Sequence, residues 1–297
     1  MNGAAASANG SRPWNRRWLR SLRRSGTGMV GVAIVAVIVI VTVFGDALAP
    51  YDPTQHNLRT RFAPPGTVAV DGGRHLLGTD QLGRDILSRI VAGTRISVII
   101  GVTSVLIAGA IGVIYGLVAG FFGGWVDDVL MRFADAFLAI PFIVLVVAAA
   151  GVLGAGLGTL IVILGVTRWV TYARVVRGET LAVREYEYVT AARALGQSGV
   201  LIMFRHILPN VTASILVLGT LMIATTVLAE SALSFLGLGV QPPTVTWGLM
   251  LSDGRQYIGS AWWMTTFPGI AITITVLGVV FLGDWLRDVL DPRLQGR

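Results

Sequence analysis

Three groups of residues in this sequence could do chemistry by their types and spacing. The first lies in the run EYVTAARALGQSGVLIMFRHILPN, Glu187 to Asn210, where Glu187, Arg193, Arg205 and His206 stand among apolar neighbours. The second is Asp135 with Arg168 and Arg174, charges set in stretches otherwise greasy enough for a bilayer. The third is Glu230, with Thr225 and Thr226 about one turn earlier. For Asp135 and the arginines the expected chemistry is charge pairing, because intramembrane charges seek partners or a watery cavity. A structural pair between Asp135 and Arg168 or Arg174 is favoured over a proton relay. Glu230 leaves two readings open, lining a polar pathway or bonding a neighbouring helix.

Bond-making chemistry finds little support. The chain has no cysteine, which excludes disulfides, thiolate metal sites and cysteine nucleophiles. His56, His75 and His206 are scattered along the chain, so no histidine metal cage is visible. His206 reads as a hydrogen-bonding residue. GQSGV, Gly196 to Val200, has its second glycine one place too early for a nucleophile elbow. Asp127-Asp128 is expected to be a solvated acidic turn. Every basic residue is arginine, so the lysine that a P-loop needs is missing. If ATP drives this protein, another subunit must hydrolyse it, and no cofactor is expected on this chain.

The elements that position these residues are membrane spans. Hydrophobic residues make up 54% of the 297 and charged residues only 13%. Soluble domains carry roughly 25% charged residues. Apolar runs of about 20 residues, long enough to cross a bilayer, are expected near 29–49, 96–122, 129–150, 159–176, 211–238 and 265–283. Ala47-Leu48-Ala49 mimics a signal-peptide cleavage site, but the apolar core before it is longer than a usual signal core. An uncleaved anchor is expected. Residues 1–28 form a basic segment, its first dozen residues expected to be disordered, with six arginines among the first 24 and no acid. That cluster, in a chain of net charge +7, reads as a cytoplasmic anchor rather than a nucleic-acid site.

Between the spans, residues 50–90 are a proline- and glycine-rich polar connection ending in a short amphipathic surface helix at Asp80–Arg89. In the second span Ala108, Gly112, Gly116 and Gly120 repeat every fourth residue, a stripe that lets helices approach closely. The third span is expected to kink at Pro141. Six crossings place both termini and the segment 187–210 on one side, expected to be the cytoplasm. The arginines between Arg59 and Arg95 run against the positive-inside rule, which long loops obey poorly.

Within 187–210, Tyr188, Ala191, Ala192 and Leu195 share one helix face. Gly196 is placed to end that helix in a left-handed cap. Ser198 can cap a second short helix with Leu201, Phe204 and Leu208 on its apolar side. Pro209 is expected to stop it and Asn210 to cap the fifth span. Two short helices around a glycine elbow, on the expected cytoplasmic side, suit a docking element that inserts into a partner and passes movement to the spans.

Glu187, Ala191, Gly196, Ile202 and Pro209 stand in the order and spacing of the EAA loop of ABC-importer permeases, which this segment resembles. HILPN (His206–Asn210) resembles the end of that loop in the dipeptide, oligopeptide and nickel subfamily. Three further stretches are similar to the same subfamily: HLLGTDQLGRDILSRIVAGTRIS from His75, AESALSFLGLGVQPPTVTWGLML from Ala229 and PGIAITITVLGVVFLGDWLRDVLDPR from Pro268. The resemblance covers nearly everything from residue 29 onward. It implies an all-α, six-helix permease of the ABC type I importer kind in the bacterial cytoplasmic membrane. It implies a homologous second permease, two ATPase domains or subunits that hold ATP and magnesium, and an extracytoplasmic substrate-binding protein. Glu187, Ala191, Ala192, Gly196, Ile202, His206 and Pro209 would then couple to the ATPase, and Glu230, Thr225, Thr226, Asp135, Arg168 and Arg174 would be pathway or intramembrane polar groups. Peptides are the expected cargo, with a nickel chelate or another small solute as the alternative. A stand-alone channel or secondary transporter is the alternative of a different class.

Overall fold

A computed structural model describes residues 21–23, 25–68 and 72–290. Most of the basic segment 1–28 therefore lies outside the described residues. Helix α1 (Gly26–Leu48) begins at Ser25, whose hydroxyl accepts the Gly28 N–H at 3.1 Å. A loop with a two-residue antiparallel pair, β1 (Thr67–Val68) and β2 (Arg74–His75), leads to α2 (Ile86–Phe122). Then come α3 (Gly124–Leu138), α4 (Phe142–Leu153) and α5 (Leu157–Val183). Two short helices follow, α6 (Glu187–Ala194) and α7 (Gly199–Ile202). A π-turn, Met203–Ile207, carries α7 into α8 (Leu208–Phe235). Helices α9 (Trp247–Gly254) and α10 (Trp263–Leu290) complete the described chain.

Two expectations need correction here. No helix spans Asp80–Arg89. Asp80 to Arg84 is a turn, and Asp85 is the N-cap of α2, its carboxylate accepting the Ser88 N–H at 2.8 Å. Gly83 breaks any earlier helix: its φ is +73°, and a Cβ there would collide with the Asn57 carbonyl. The second span thus begins at Ile86 rather than Ile96. Near Pro141 the chain breaks rather than kinks, since α3 and α4 are bent by 80°. Proline has no N–H for the helix ladder and disfavours helical geometry in the residue before it.

Contacts fix which ends lie together. Helix α2 starts near Tyr51, whose N–H donates to Ser88 Oγ at 3.0 Å, and ends where Arg184 Nη1 donates to Gly120 O at 2.8 Å. Helix α5 runs back beside it, from Leu160 packed with Ile100 to Val183 packed with Leu117. The bent pair α3–α4 joins these opposite ends and so makes one crossing. With α1, α2, α5, α8 and α10 that gives six crossings. The start of α1 lies against Trp285 of α10, at the end that also holds α6 and α7.

The α2–α5 pair forms the centre of the bundle. Ala108, Gly112, Gly116 and Gly120 are all buried. A Cβ at Gly116 would stand 2.5 Å from Ala173 O, and one at Gly120 2.7 Å from Thr180 Cβ. The small-residue stripe is a backbone-to-backbone seam, the arrangement its spacing predicts.

Candidate functional site

The segment from Glu187 to Asn210 caps one end of the bundle. Val189, Ile202, Met203 and Ile207 are buried together against Leu117, Val176, Val183 and Val211. The bundle therefore buries the side of each helix that lies opposite most of the apolar faces read from the sequence. Tyr188, Ala191 and Leu195 point outward while Ala192 packs on the cluster, and Leu195 is 88% exposed. Leu201 and Phe204, expected on the apolar side, are exposed too, and Leu208 alone of that set packs inward. Both helices carry apolar residues on both sides, and the bundle takes Val189 and Ile202 because they lie over the α2–α5 seam.

Gly196 is the elbow. Its φ is +79°, its N–H donates to Arg193 O at 3.0 Å, and the Gln197 N–H reaches back to Ala192 O at 3.2 Å. Ser198 stands at the N-cap position of α7. Pro209 does not stop this helix. The π-turn, in which the Leu208 N–H donates to Met203 O, absorbs the proline, and the helix runs on from Gly199 to Phe235. Asn210 is no N-cap either, since its amide donates back to His206 O at 2.6 Å. His206 Nε2 lies 2.9 Å from Gln197 Oε1 and ties the elbow to the π-turn. Glu187 sits exposed in the first turn of α6, where a carboxylate suits the helix dipole. Arg193 lies over the Phe121 ring at 5.4 Å.

The intramembrane charges separate into distinct settings. Asp135 takes Arg174, Nη2 to Oδ1 2.6 Å. Arg168 instead donates to Thr225, Nη1 to Oγ1 at 3.0 Å and Nη2 to the carbonyl at 3.3 Å. Asp127 is no solvated turn residue: it is buried and receives a two-pronged contact from Arg177, with Nη2 to Oδ2 2.5 Å. Glu230 is fully buried. It accepts from Ser234 Oγ at 2.8 Å and Ser231 Oγ at 3.3 Å. Thr226 is buried on α8, whereas Thr225 is exposed.

A second polar assembly, at the end of the bundle away from α6, escaped the sequence reading. Asp80, fully buried, accepts the Leu82 and Arg84 N–H groups at 2.8 and 2.9 Å. Its other oxygen takes Arg84 Nε at 2.6 Å together with Arg89. Arg89 and Arg84 also reach Asp253 of α9, at 3.1 and 3.4 Å. His75 Nδ1 meets Asp85 Oδ1 at 3.0 Å, and Trp263 of α10 donates to Thr79 O at 3.0 Å. Arg84 and Arg89 are thus paired with acids inside the fold rather than free in the loop. The readable signal was the run TDQLGRD, acids and arginine crowded into a glycine turn.

These features meet in one group of known proteins. A family model, "Binding-protein-dependent transport system inner membrane component", matches residues 112–296. This chain belongs to that family. A second model, "N-terminal TM domain of oligopeptide transport permease C", matches residues 12–65. Among relatives of this family member, a di/tripeptide transport system permease protein, DppC, of Pseudomonas aeruginosa is 38% identical over 95% of this chain and 93% of its own. The oligopeptide transport system permease protein OppC of Bacillus subtilis is 40% identical over 95% and 90%. The glutathione permease protein GsiD of Escherichia coli is 39% identical over 96% and 92%. The same fold occurs in an inward-facing structure of the MetNI methionine ABC transporter, with TM-score 0.57, 21% identity, and coverage of 69% of this chain and 98% of that one. The chain is a multi-pass inner membrane permease subunit, and the run Glu187–Pro209 lies within the matched family segment.

Proposed function

We propose that this permease subunit forms half of the translocation pathway of an ATP-driven importer of di- and oligopeptides. The observation that carries the coupling half of this reading is the outward face of the segment 187–210. Tyr188, Leu195, Val200, Leu201 and Phe204 stand exposed on a base held rigidly by Val189, Ile202 and Ile207. An exposed apolar set around a fixed elbow suits insertion into a groove on an ATPase subunit. Relatives that match nearly the whole chain, the di/tripeptide and oligopeptide permeases named above, support peptide cargo.

In this reading the chain performs no bond chemistry. ATP and magnesium sit on two ATPase domains or subunits beneath it. A homologous second permease closes the pathway, and an extracytoplasmic binding protein delivers cargo to the end that carries Asp80 and Asp253. Both termini and α6 face the cytoplasm. Closure of the ATPase pair would carry α6 and α7 with it and reorient α8, because α7 and α8 are one helix.

Reconstitution tests it. The chain, its second permease, the ATPases and the binding protein together should take labelled peptide into proteoliposomes only with ATP. Uptake by this chain alone, or uptake of nickel chelate with no peptide uptake, would overturn the proposal.

A further inference from the structure

We infer that Arg168, braced by Thr225, is a carboxylate-binding station for the peptide midway through the membrane. The inference rests on the peptide-importer reading above. Arg168 lies about 16 Å along α5 from Leu157, at a rise of 1.5 Å per residue, close to the centre of a hydrocarbon layer about 30 Å thick. Thr225 stands at matching depth on the antiparallel α8. The other arginines of α2 and α5 are paired with acids: Arg89 with Asp80 and Asp253, Arg95 with Asp46, Arg174 with Asp135, Arg177 with Asp127. Arg168 differs. Among the described residues its hydrogen bonds go to Thr225 alone, a neutral hydroxyl and a carbonyl, and its Nε is buried without a partner.

A full positive charge at mid-membrane needs an anion or a watery cavity. The acids on α5 and α8 are hydrogen-bonded elsewhere, Glu179 with Ser214 and Glu230 with Ser234. The contact between Arg168 and Thr225 lies on a face this chain leaves open, since the Thr225 side is exposed along Leu221, Thr225 and Leu228. An open face, an uncompensated guanidinium and a bracing hydroxyl form a site for one carboxylate. Every unmodified di- or oligopeptide carries one at its end. Thr225 holds the planar guanidinium through one N–H each of Nη1 and Nη2, and the second N–H on each of these nitrogens is left to donate to a carboxylate oxygen.

The test uses the complete transporter in proteoliposomes with saturating binding protein and a labelled tripeptide. Arg168→Gln should lower peptide uptake by about tenfold or more, the size of one lost charge-assisted contact. ATP hydrolysis and co-purification of the second permease should stay unchanged. Arg168→Lys, which keeps the charge, should retain most of the uptake. Wild-type uptake in Arg168→Gln would overturn the inference while leaving the importer reading intact. So would loss of the second permease from Arg168→Gln, since it would assign Arg168 to an inter-subunit ion pair. Should Arg168→Gln fail to fold, Arg168→Lys decides: uptake lost in a folded, ATP-hydrolysing complex would mean that positive charge is not what the site supplies. A wild-type complex that imports no peptide would instead defeat the importer reading itself.

Discussion

Arg89 and Asp253 meet 3.1 Å apart although 164 positions separate them in the chain. Through that contact, and through the shared Asp80, the turn before α2 is clamped to the end of α9. Arg89 is 1% exposed, so its charge depends on these carboxylates. Asp80→Ala leaves the guanidinium buried without its nearest acid and should cost about 3–5 kcal/mol. Asp253 is more exposed, and Asp253→Asn should cost less than half as much. Thermal unfolding of the purified complex measures both. An unchanged melting temperature for Asp80→Ala would show that the clamp adds nothing.

Gly116 and Gly178 make a matched pair for the α2–α5 seam. A Cβ at Gly116 meets Ala173 O at 2.5 Å, whereas one at Gly178 meets nothing within 4 Å. Gly116→Val should therefore push the helices apart and cost about 1–3 kcal/mol, the usual penalty of overpacking. Gly178→Ala should stay within about 1 kcal/mol of the parent and can gain from higher helix propensity. Membrane abundance and melting temperature read the contrast. Equal behaviour of the two variants would contradict the seam.

Leu195 separates docking from folding. Its side chain is nearly free of its own chain, so Leu195→Asp should leave the melting temperature within about 0.5 kcal/mol equivalent of the parent. The same variant should weaken co-purification of the ATPase and reduce peptide uptake about tenfold, as loss of an anchor residue in an interface does. Gly196→Ala acts differently: it forces a side chain into the left-handed region at about 1–2 kcal/mol and should blunt coupling by loosening the elbow. Full ATPase association in Leu195→Asp would rule out this face as the dock.

The parts of this molecule legible in the sequence are those written in local spacing. Ala108, Gly112, Gly116 and Gly120 share a face in any helix, so the seam follows from their four-residue repeat. Gly196 is an elbow because nothing but glycine sits easily at positive φ beside a short helix. The pairing of Asp135 with Arg174 was readable from matching depths. What escaped depended on distant partners. Asp80 looks like the start of a surface helix until Arg89 and Asp253 are folded around it. Asp127 looks solvated until Arg177 arrives from α5. Val189 and Leu195 are both apolar, and only the bundle beneath them decides which is buried. Pro209 broke the helix on paper because local rules assume an α-helical turn, while the chain uses a π-turn.

That π-turn has a mechanical consequence. From Gly199 to Phe235 the backbone is one unbroken rod, about 54 Å long at 1.5 Å per residue. Leu201 sits near one end and Glu230 near the other, with Thr225 between them. No joint separates the exposed tip from the membrane core, so a tilt imposed at Leu201 swings the far end in the opposite sense about whatever pivot the seam provides. The bend of the segment lies beyond the tip of that rod, at Gly196, so a push on α6 and α7 together reaches the membrane core through the rod as a hand does through a tiller.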